Sequence, residues 1–383
     1  MSYSPLWDTP FYEDHHRALA EKLLAWDIPE VDHDTQDFAA PMRALLASMA
    51  DQRLLEYVVP KPGQSYDLRA ICLVREVLAY RSGGMADSAF IMQGIGTGAM
   101  QLAGMHDEPV LASARAGRTI AAFALTEPET GSDVASITTS AVRDGGDYVL
   151  NGAKTFITNA GVADHYIVMA RTGEAPGARG LSGFLVDART PGLTATQQTY
   201  VAQHAGGSLD LVDVRVAADR MIGPPGGGFK LAMMTLDSFR ASVGAAAIGF
   251  ARRALDEASA RTASRQMFGK PMNAMEGVQS KLADMATAIE GAALLVQRAA
   301  WAKDTGRGRC TREVSMAKMV ATEAAQAVID DAVQLFGGLG VTHGSVVERL
   351  YREVRPMRIY EGATEVQKLI IGRDIAASAG GQG

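Results

Sequence analysis

The sequence predicts an α+β chain in which helical, β and again helical stretches succeed one another. Three observations carry this expectation. Apolar residues recur at one-turn spacing up to about Arg118, short alternating runs bounded by turn residues replace them from about Thr119 to Phe229, and the helical period then returns. Strands that follow one another without intervening helices imply an antiparallel barrel or sandwich rather than a βαβ sheet.

In the first stretch, Leu19, Leu23 and Leu24, then Leu45, Leu46 and Met49, then Leu73, Val74, Val77 and Leu78 mark three helical stripes. Pro60–Gly63 and Gly83-Gly84 punctuate them. In the middle stretch, Tyr148–Leu150 and Thr155–Ile157 flank Asn151-Gly152, whose tolerance of positive φ predicts a type I′ hairpin turn. Further strands are expected at Tyr166–Ala170, Gly183–Val186 and Leu209–Val216. Beyond Phe229, Leu236–Arg240 opens a helix and Arg265–Gly269 ends one, while Leu282, Met285, Ile289 and Ala292 mark a helix face. Another helix runs from about Arg312 to Phe336 and stops at Gly337-Gly338. Gly94–Gly98 lacks the spacing and preceding strand of a dinucleotide loop and reads as helix–helix packing, and Gly226–Gly228 lacks the Lys and hydroxyl of a phosphate loop.

Composition narrows the function classes. The 383 residues are 47% hydrophobic and 21% charged with a formal net charge of -6, so no global positive field points to nucleic acid. The two cysteines, Cys72 and Cys310, are far apart, and the seven histidines form no HExxH-like array, so neither a disulfide framework nor a metal site is expected. No apolar run reaches the ~18 residues of a membrane span, and Met1–Pro10 lacks the basic start and apolar core of a signal peptide. A cytoplasmic protein is expected.

Four segments carry possible chemistry. Leu125–Asp133 (LTEPETGSD) crowds hydroxyls, glutamates and Gly-Ser-Asp into one loop, suited either to an anion or polar ring edge or to a surface connection. Phe156 and Thr158 stand two residues apart on a strand, so a flat cofactor can stack on one and bond the other; a hairpin packing Phe156 into the core fits as well. Arg265 offers a bidentate fork for a pyrophosphate, or a helix-end charge. In Ile359–Glu365 (IYEGATE) a single carboxylate, Glu361, sits between an aromatic and a glycine that allows close approach of a ligand. In a dry pocket its pKa rises toward that of a general base; at a helix start it is also favoured by the dipole alone.

Taken in order, LTEPETGSD, NGAKTFITNA, LDSFR, RQMFGKP, LADM, QLFGGLG and RIYEGATEVQ resemble the acyl-CoA dehydrogenase family over about residues 40–375. The resemblance implies a helical N-terminal domain at 1–120, a middle antiparallel β-barrel at 121–230, a C-terminal four-helix bundle at 231–383, and a homotetramer. It implies FAD as cofactor. Phe123, Leu125, Thr126, Phe156 and Thr158 match isoalloxazine contacts. Arg265 and Phe268 match positions reaching FAD across a dimer interface, and Gln334, Gly337 and Gly338 match the stretch meeting its adenosine-diphosphate portion. Thr364 and Glu365 match positions beside the flavin. Ser132, Asp237 and Arg240 match acyl-CoA contacts, and Tyr360 and Gly362 flank the reacting carbons.

Glu361 matches the α-proton base of short- and medium-chain members. The alternative base position, one residue before the arginine of LDSFR, is Phe239 here and accepts no proton. The implied reaction is α,β-dehydrogenation of an acyl thioester, with an electron-transferring flavoprotein as acceptor. Departures are Phe156 for the family's frequent Trp, Glu276 for its adenine-side Gln, Ala363 for the Thr of YEGT, and Pro60–Tyr66 for a Tyr-Gly-Gly-rich lid. They leave open an acyl group that is polar, branched or tethered to a carrier protein. A flavin-dependent monooxygenase on the same fold is the alternative activity.

Overall fold

The computed structural model describes residues 7–106 and 108–380. The chain contains helices α1 (Asp14–Ala25), α2 (Ala39–Asp51), α3 (Leu55–Val58), α4 (Leu68–Arg81), α5 (Gly84–Leu102) and α6 (Pro109–Arg115), followed by strands. These are β1 (Ala121–Ala124), β2 (Ser140–Asp144), β3 (Asp147–Thr158), β4 (His165–Arg171), β5 (Leu181–Asp187), β6 (Leu193–Gln197), β7 (Gly206–Ala217) and β8 (Met221–Ile222). Then come α7 (Gly228–Ser264), the short hairpin β9 (Gln266–Met267) and β10 (Lys270–Pro271), α8 (Glu276–Asp304), α9 (Thr311–Phe336), α10 (Val346–Val354) and α11 (Thr364–Gly380). This order of helices, sheet and helices is the expected α+β class. Two compact units share these elements. One holds the chain up to Asp27, Asp67–Asp87 and Phe239 onward; the other holds Ile28–Tyr66 and Ser88–Ser238.

The sheet unit has strand order β6-β7-β3-β2-β4-β5-β8, with β1 added on β4. Its ladders are antiparallel except where β4 meets β1 and, at one residue pair, β2. The chain enters β1 from α6 rather than from a hairpin, so nothing forces β1 to run against its neighbour. The Asn151-Gly152 turn is not formed. The β2–β3 turn falls at Gly145-Gly146 instead, and Asn151-Gly152 lies inside β3, where the ladder to β7 slips between Leu150 and Gly152. The Asn151 amide there bonds both the backbone and the side chain of Asp213, which itself has φ 54°. Two irregularities, one on each strand, absorb the signal that resembled a turn. A Cβ on Gly152 would meet Thr139 at 2.7 Å, so the glycine serves close approach of the residue just ahead of β2. Gly96 likewise packs against a strand, not a second helix: its missing Cβ leaves room for Ala121 and Ala122 of β1.

In the helical unit, α1 packs on α4, α4 on α8, and α9 against α8, α10 and α11. Gly244 of α7 lets Val296 of α8 and Ala321 of α9 approach, and Gly249 sits on the backbone of Glu76 in α4. Helix α7 starts at Gly228, two turns before the expected opening at Leu236. Helix α9 ends as expected, with Gly337 at φ 62°. The region read as a simple helix end at Arg265–Gly269 is a two-stranded hairpin turning on Phe268 (φ 51°) and Gly269 (φ 80°), the double positive φ of a type I′ turn. His15, His16 and Asp67 cluster closely enough to suggest metal ligands. However, His16 Nδ1 accepts the Glu13 N–H (3.1 Å), so its Nε2 carries the proton and donates to Asp67 (3.1 Å), which leaves no lone pair for an ion.

Candidate active site

Glu361 lies in the loop before α11, and its backbone is in the left-handed region at φ 52°, followed by Gly362 at φ 94°. Non-glycine residues occupy that region only when their surroundings hold them there. Here the carbonyl oxygens are clamped. Arg240 of α7 donates to the Glu361 carbonyl (3.2 Å), and Lys318 of α9 and Gln367 of α11 donate to the Gly362 carbonyl (2.9 Å each). A side chain at position 362 would collide with the Gln367 amide. The next turn is fixed too: Thr364 donates to Glu323 (2.6 Å), whose other oxygen pairs with Arg358 (2.7 Å).

This clamp leaves the Glu361 side chain unusually placed. Its Oε2 is buried and has no hydrogen-bond partner among the described residues. Burial raises its proton affinity above the ordinary glutamate value, opposed by the charges of Arg75, Arg240 and Lys318. Lys318 is itself fully buried, and burial pushes it down to about 8 despite the nearby Glu361. A carboxylate in this state accepts a proton readily, which is the property a general base requires.

In the sheet unit, the LTEPETGSD loop is pinned to β3. Thr155 N–H donates to the Thr126 carbonyl (3.0 Å), and the buried Lys154 ammonium donates to the Leu125 carbonyl (3.0 Å) and to Glu127 (2.9 Å). Glu127 also accepts from Thr138 and Thr139 (2.6 and 2.9 Å to their N–H groups). The ladder slips again between Lys154 and Ile157, Phe156 takes φ 55°, and its ring is turned out to 66% exposure. Thr158 is half-buried on the same, less buried side, and Ile157 is buried between them. Phe123 and Leu125 lie almost wholly inside, Thr126 is half-buried and Ser132 exposed. An aromatic face presented outward beside a rigid loop with free edges fits a flat heteroaromatic cofactor.

The remaining expected contacts divide cleanly. Arg240, Tyr360, Gly362 and Thr364 share the neighbourhood of Glu361 in the helical unit, and Thr364 is buried against Glu323 while Glu365 is exposed. Asp237 is half-buried in α7. Arg265, Phe268 (90% exposed), Glu276, Gln334, Gly337 and Gly338 all lie at the surface, away from that loop's contacts. Missed by sequence reasoning were Arg75, Asp87, Glu127, Lys154, Lys318 and Gln367. Charges within apolar runs, such as Arg75 in Ile71–Leu78, were the available signal.

Residues 122–211 match the acyl-CoA dehydrogenase middle domain and residues 226–376 the acyl-CoA dehydrogenase C-terminal domain. The acyl-CoA dehydrogenase of Bacillus subtilis is 36% identical over 367 residues, covering 93% of this chain and 95% of that protein. The mitochondrial short-chain specific acyl-CoA dehydrogenase of Bos taurus is 36% identical over 372 residues, covering 94% and 88%. The crystal structure of acyl-CoA dehydrogenase from Geobacillus kaustophilus superimposes with a TM-score of 0.84 at 30% identity, covering 96% of this chain and 99% of that one. No helix among the described residues is long and apolar enough to cross a membrane. With both signature domains matched and the full architecture shared, this chain belongs to the acyl-CoA dehydrogenase family, whose members are FAD-dependent oxidoreductases acting on acyl-CoA.

Proposed function

We propose that this protein oxidises an acyl-CoA to the trans-2-enoyl-CoA, with Glu361 as the base that removes the α-proton. The observation that carries this is the buried, unpartnered Glu361 oxygen next to Gly362. The carboxylate takes the proton from the carbon α to the thioester carbonyl, and the electron pair left behind forms the new C=C bond as the β-hydrogen departs as hydride. FAD, when bound, supplies the acceptor for that hydride. Phe156 would offer it a stacking face, Phe123, Leu125, Thr126 and Thr158 would hold its ring, and Thr364 and Glu365 are further candidates to contact it. The Glu361 N–H is the donor that polarises the thioester carbonyl as enolate charge develops. The clamped carbonyls at 361 and 362 keep this N–H and the carboxylate in fixed relation.

Ser132, Asp237, Arg240 and Tyr360 serve the thioester in this reading. The exposed Phe268, Arg265, Gln334, Gly337 and Gly338 serve a second subunit in a homotetramer, since a 90% exposed phenylalanine at a hairpin tip is costly without a partner. An electron-transferring flavoprotein is the electron acceptor. The test is anaerobic mixing of the FAD-loaded protein with acyl-CoAs of varied length and branching. Bleaching of the flavin by at least one of them is expected; a flavin that none reduces, and that instead consumes oxygen with an external reductant, overturns the assignment in favour of a monooxygenase.

A further inference from the structure

Resting on the reading that FAD binds against Phe156 and the Leu125–Thr126 segment, we propose that the buried Lys154–Glu127 pair is a positioning device of the flavin site. It holds the LTEPETGSD loop at a fixed distance from the stretch of β3 that turns Phe156 outward. Lys154 is 0% exposed, and its ammonium donates to the Leu125 carbonyl (3.0 Å) and to Glu127 Oε1 (2.9 Å). One residue further along β3, the Thr155 N–H donates to the Thr126 carbonyl (3.0 Å). The next residue is Phe156, whose φ of 55° accompanies its outward ring, with Thr158 two positions beyond. Residues 125 and 126 are therefore fastened to the positions immediately ahead of that ring, and all of these residues belong to the sheet unit.

Glu127 carries the same anchor to the far end of the loop. Its backbone exchanges two hydrogen bonds with Thr130 (3.0 and 3.1 Å), which closes a turn over Pro128-Glu129. Its Oε1 also accepts the Thr139 N–H (2.9 Å), and its Oε2 accepts the N–H and hydroxyl of Thr138 (2.6 and 2.8 Å). One carboxylate thus joins the entry of the loop that carries Ser132 to its exit. Fold stability does not call for a charged pair here, because two buried charges are commonly replaced by apolar residues of similar volume without loss. The exit is also held independently, since Arg171 of β4 donates to the Ala135 and Ile137 carbonyls (2.7 and 3.1 Å). What the pair adds to the Thr155 bond is direction. An ammonium bonds the Leu125 carbonyl at a fixed point, whereas an apolar side chain only packs against it. A ring that meets two surfaces binds most tightly when their spacing is set before it arrives.

The experiment follows release of flavin from the FAD-loaded full chain on dilution, read as the rise in flavin fluorescence, together with the visible absorption band of the bound flavin. The double variant Lys154→Met/Glu127→Leu removes both charges at similar volume. Its FAD Kd is expected to rise by about tenfold, because the loop must now be ordered as the ring binds, and its absorption band is expected to move toward that of free FAD. Lys154→Met alone leaves Glu127 its bonds from Thr138 and Thr139 and decides in the same assay if the double variant does not fold. Arg171→Met loosens the loop exit without touching Leu125 or Glu127 and is expected to keep the parent Kd and band. A parent-like Kd and band in the folded pair variants, or an equal loosening in Arg171→Met, overturns the proposal. Phe156→Ala separates this from failure of the underlying reading. Unchanged release in Phe156→Ala removes the flavin from this face, whereas faster release there with unmoved pair variants removes only the role of the pair.

Discussion

Two glutamates with buried carboxyl oxygens, one in each compact unit, show how surroundings turn the same side chain to opposite uses. Glu127 in the sheet unit is saturated. It accepts from Thr138, Thr139 and Lys154, and although burial alone would raise its pKa, these donors hold it down at about 2. Glu361 in the helical unit is half-buried, its Oε2 has lost water without gaining a donor among the described residues, and its nearby cations only partly offset that loss. The first is a permanent anion that organises a loop; the second is ready to take up a proton. Hydrogen bonding to the carboxylate, more than burial itself, separates them.

The sharpest break of this comparison is Glu361→Gln. Flavin reduction by acyl-CoA should fall by roughly 10²–10⁴-fold with FAD content retained, because only the base is lost. Its thermal midpoint should hold or rise, since an unsatisfied charge becomes a neutral amide. Glu127→Gln should behave in reverse, destabilising by about 3–5 kcal/mol in denaturant titration because Lys154 is left buried and unpaired. If the two variants lost stability equally, the contrast would be wrong.

Gly362→Ala tests the clamp. The left-handed backbone and the Gln367 contact should together cost about 1–3 kcal/mol, and the flavin-reduction rate should drop although no reacting group is removed. A rate equal to the parent's would show that the clamp does not position Glu361.

The pH dependences should differ in kind. Flavin reduction should fail on acidification at a pH above 4.5, the ordinary glutamate value, because the raised Glu361 pKa leaves the base protonated there. The sheet unit contributes instead to stability. Glu127, lowered to about 2, favours folding fully above 4.5 and loses that contribution as pH falls through 2. His165 has no Nε2 partner among the described residues, and burial lowers it to about 4. The unfolded chain therefore binds its proton first, and stability should decline from about 6.5 toward 4. His165→Asn should flatten that limb of a thermal-midpoint profile, the smallest of these effects; an unchanged slope would rule His165 out as its source.

Much of the site was legible because its motifs are contiguous. IYEGATE places the carboxylate, the glycine and the following helix within a few residues, and NGAKTFITNA does the same for the outward aromatic. What failed was local grammar overridden by pairing. Asn151-Gly152 carries the strongest hairpin signal in the chain, yet Gly145-Gly146 makes the turn and Asp213 supplies the matching irregularity from another strand. Gly94–Gly98 reads as helix–helix packing, yet the neighbour that Gly96 accommodates is a strand.

The sequence by itself determined the α+β class, the family, and Glu361 as the carboxylate between an aromatic and a glycine in IYEGATE. Periodicity and short motifs are properties of neighbouring residues, so they survive without coordinates. Tertiary structure alone decided that one Glu361 oxygen is buried without a partner among the described residues, and that Arg240 and Lys318, 121 and 44 residues away from their carbonyl partners, hold its loop. Proton affinity depends on which charges and donors lie within a few ångströms, and chain folding sets those distances between residues that the sequence keeps far apart.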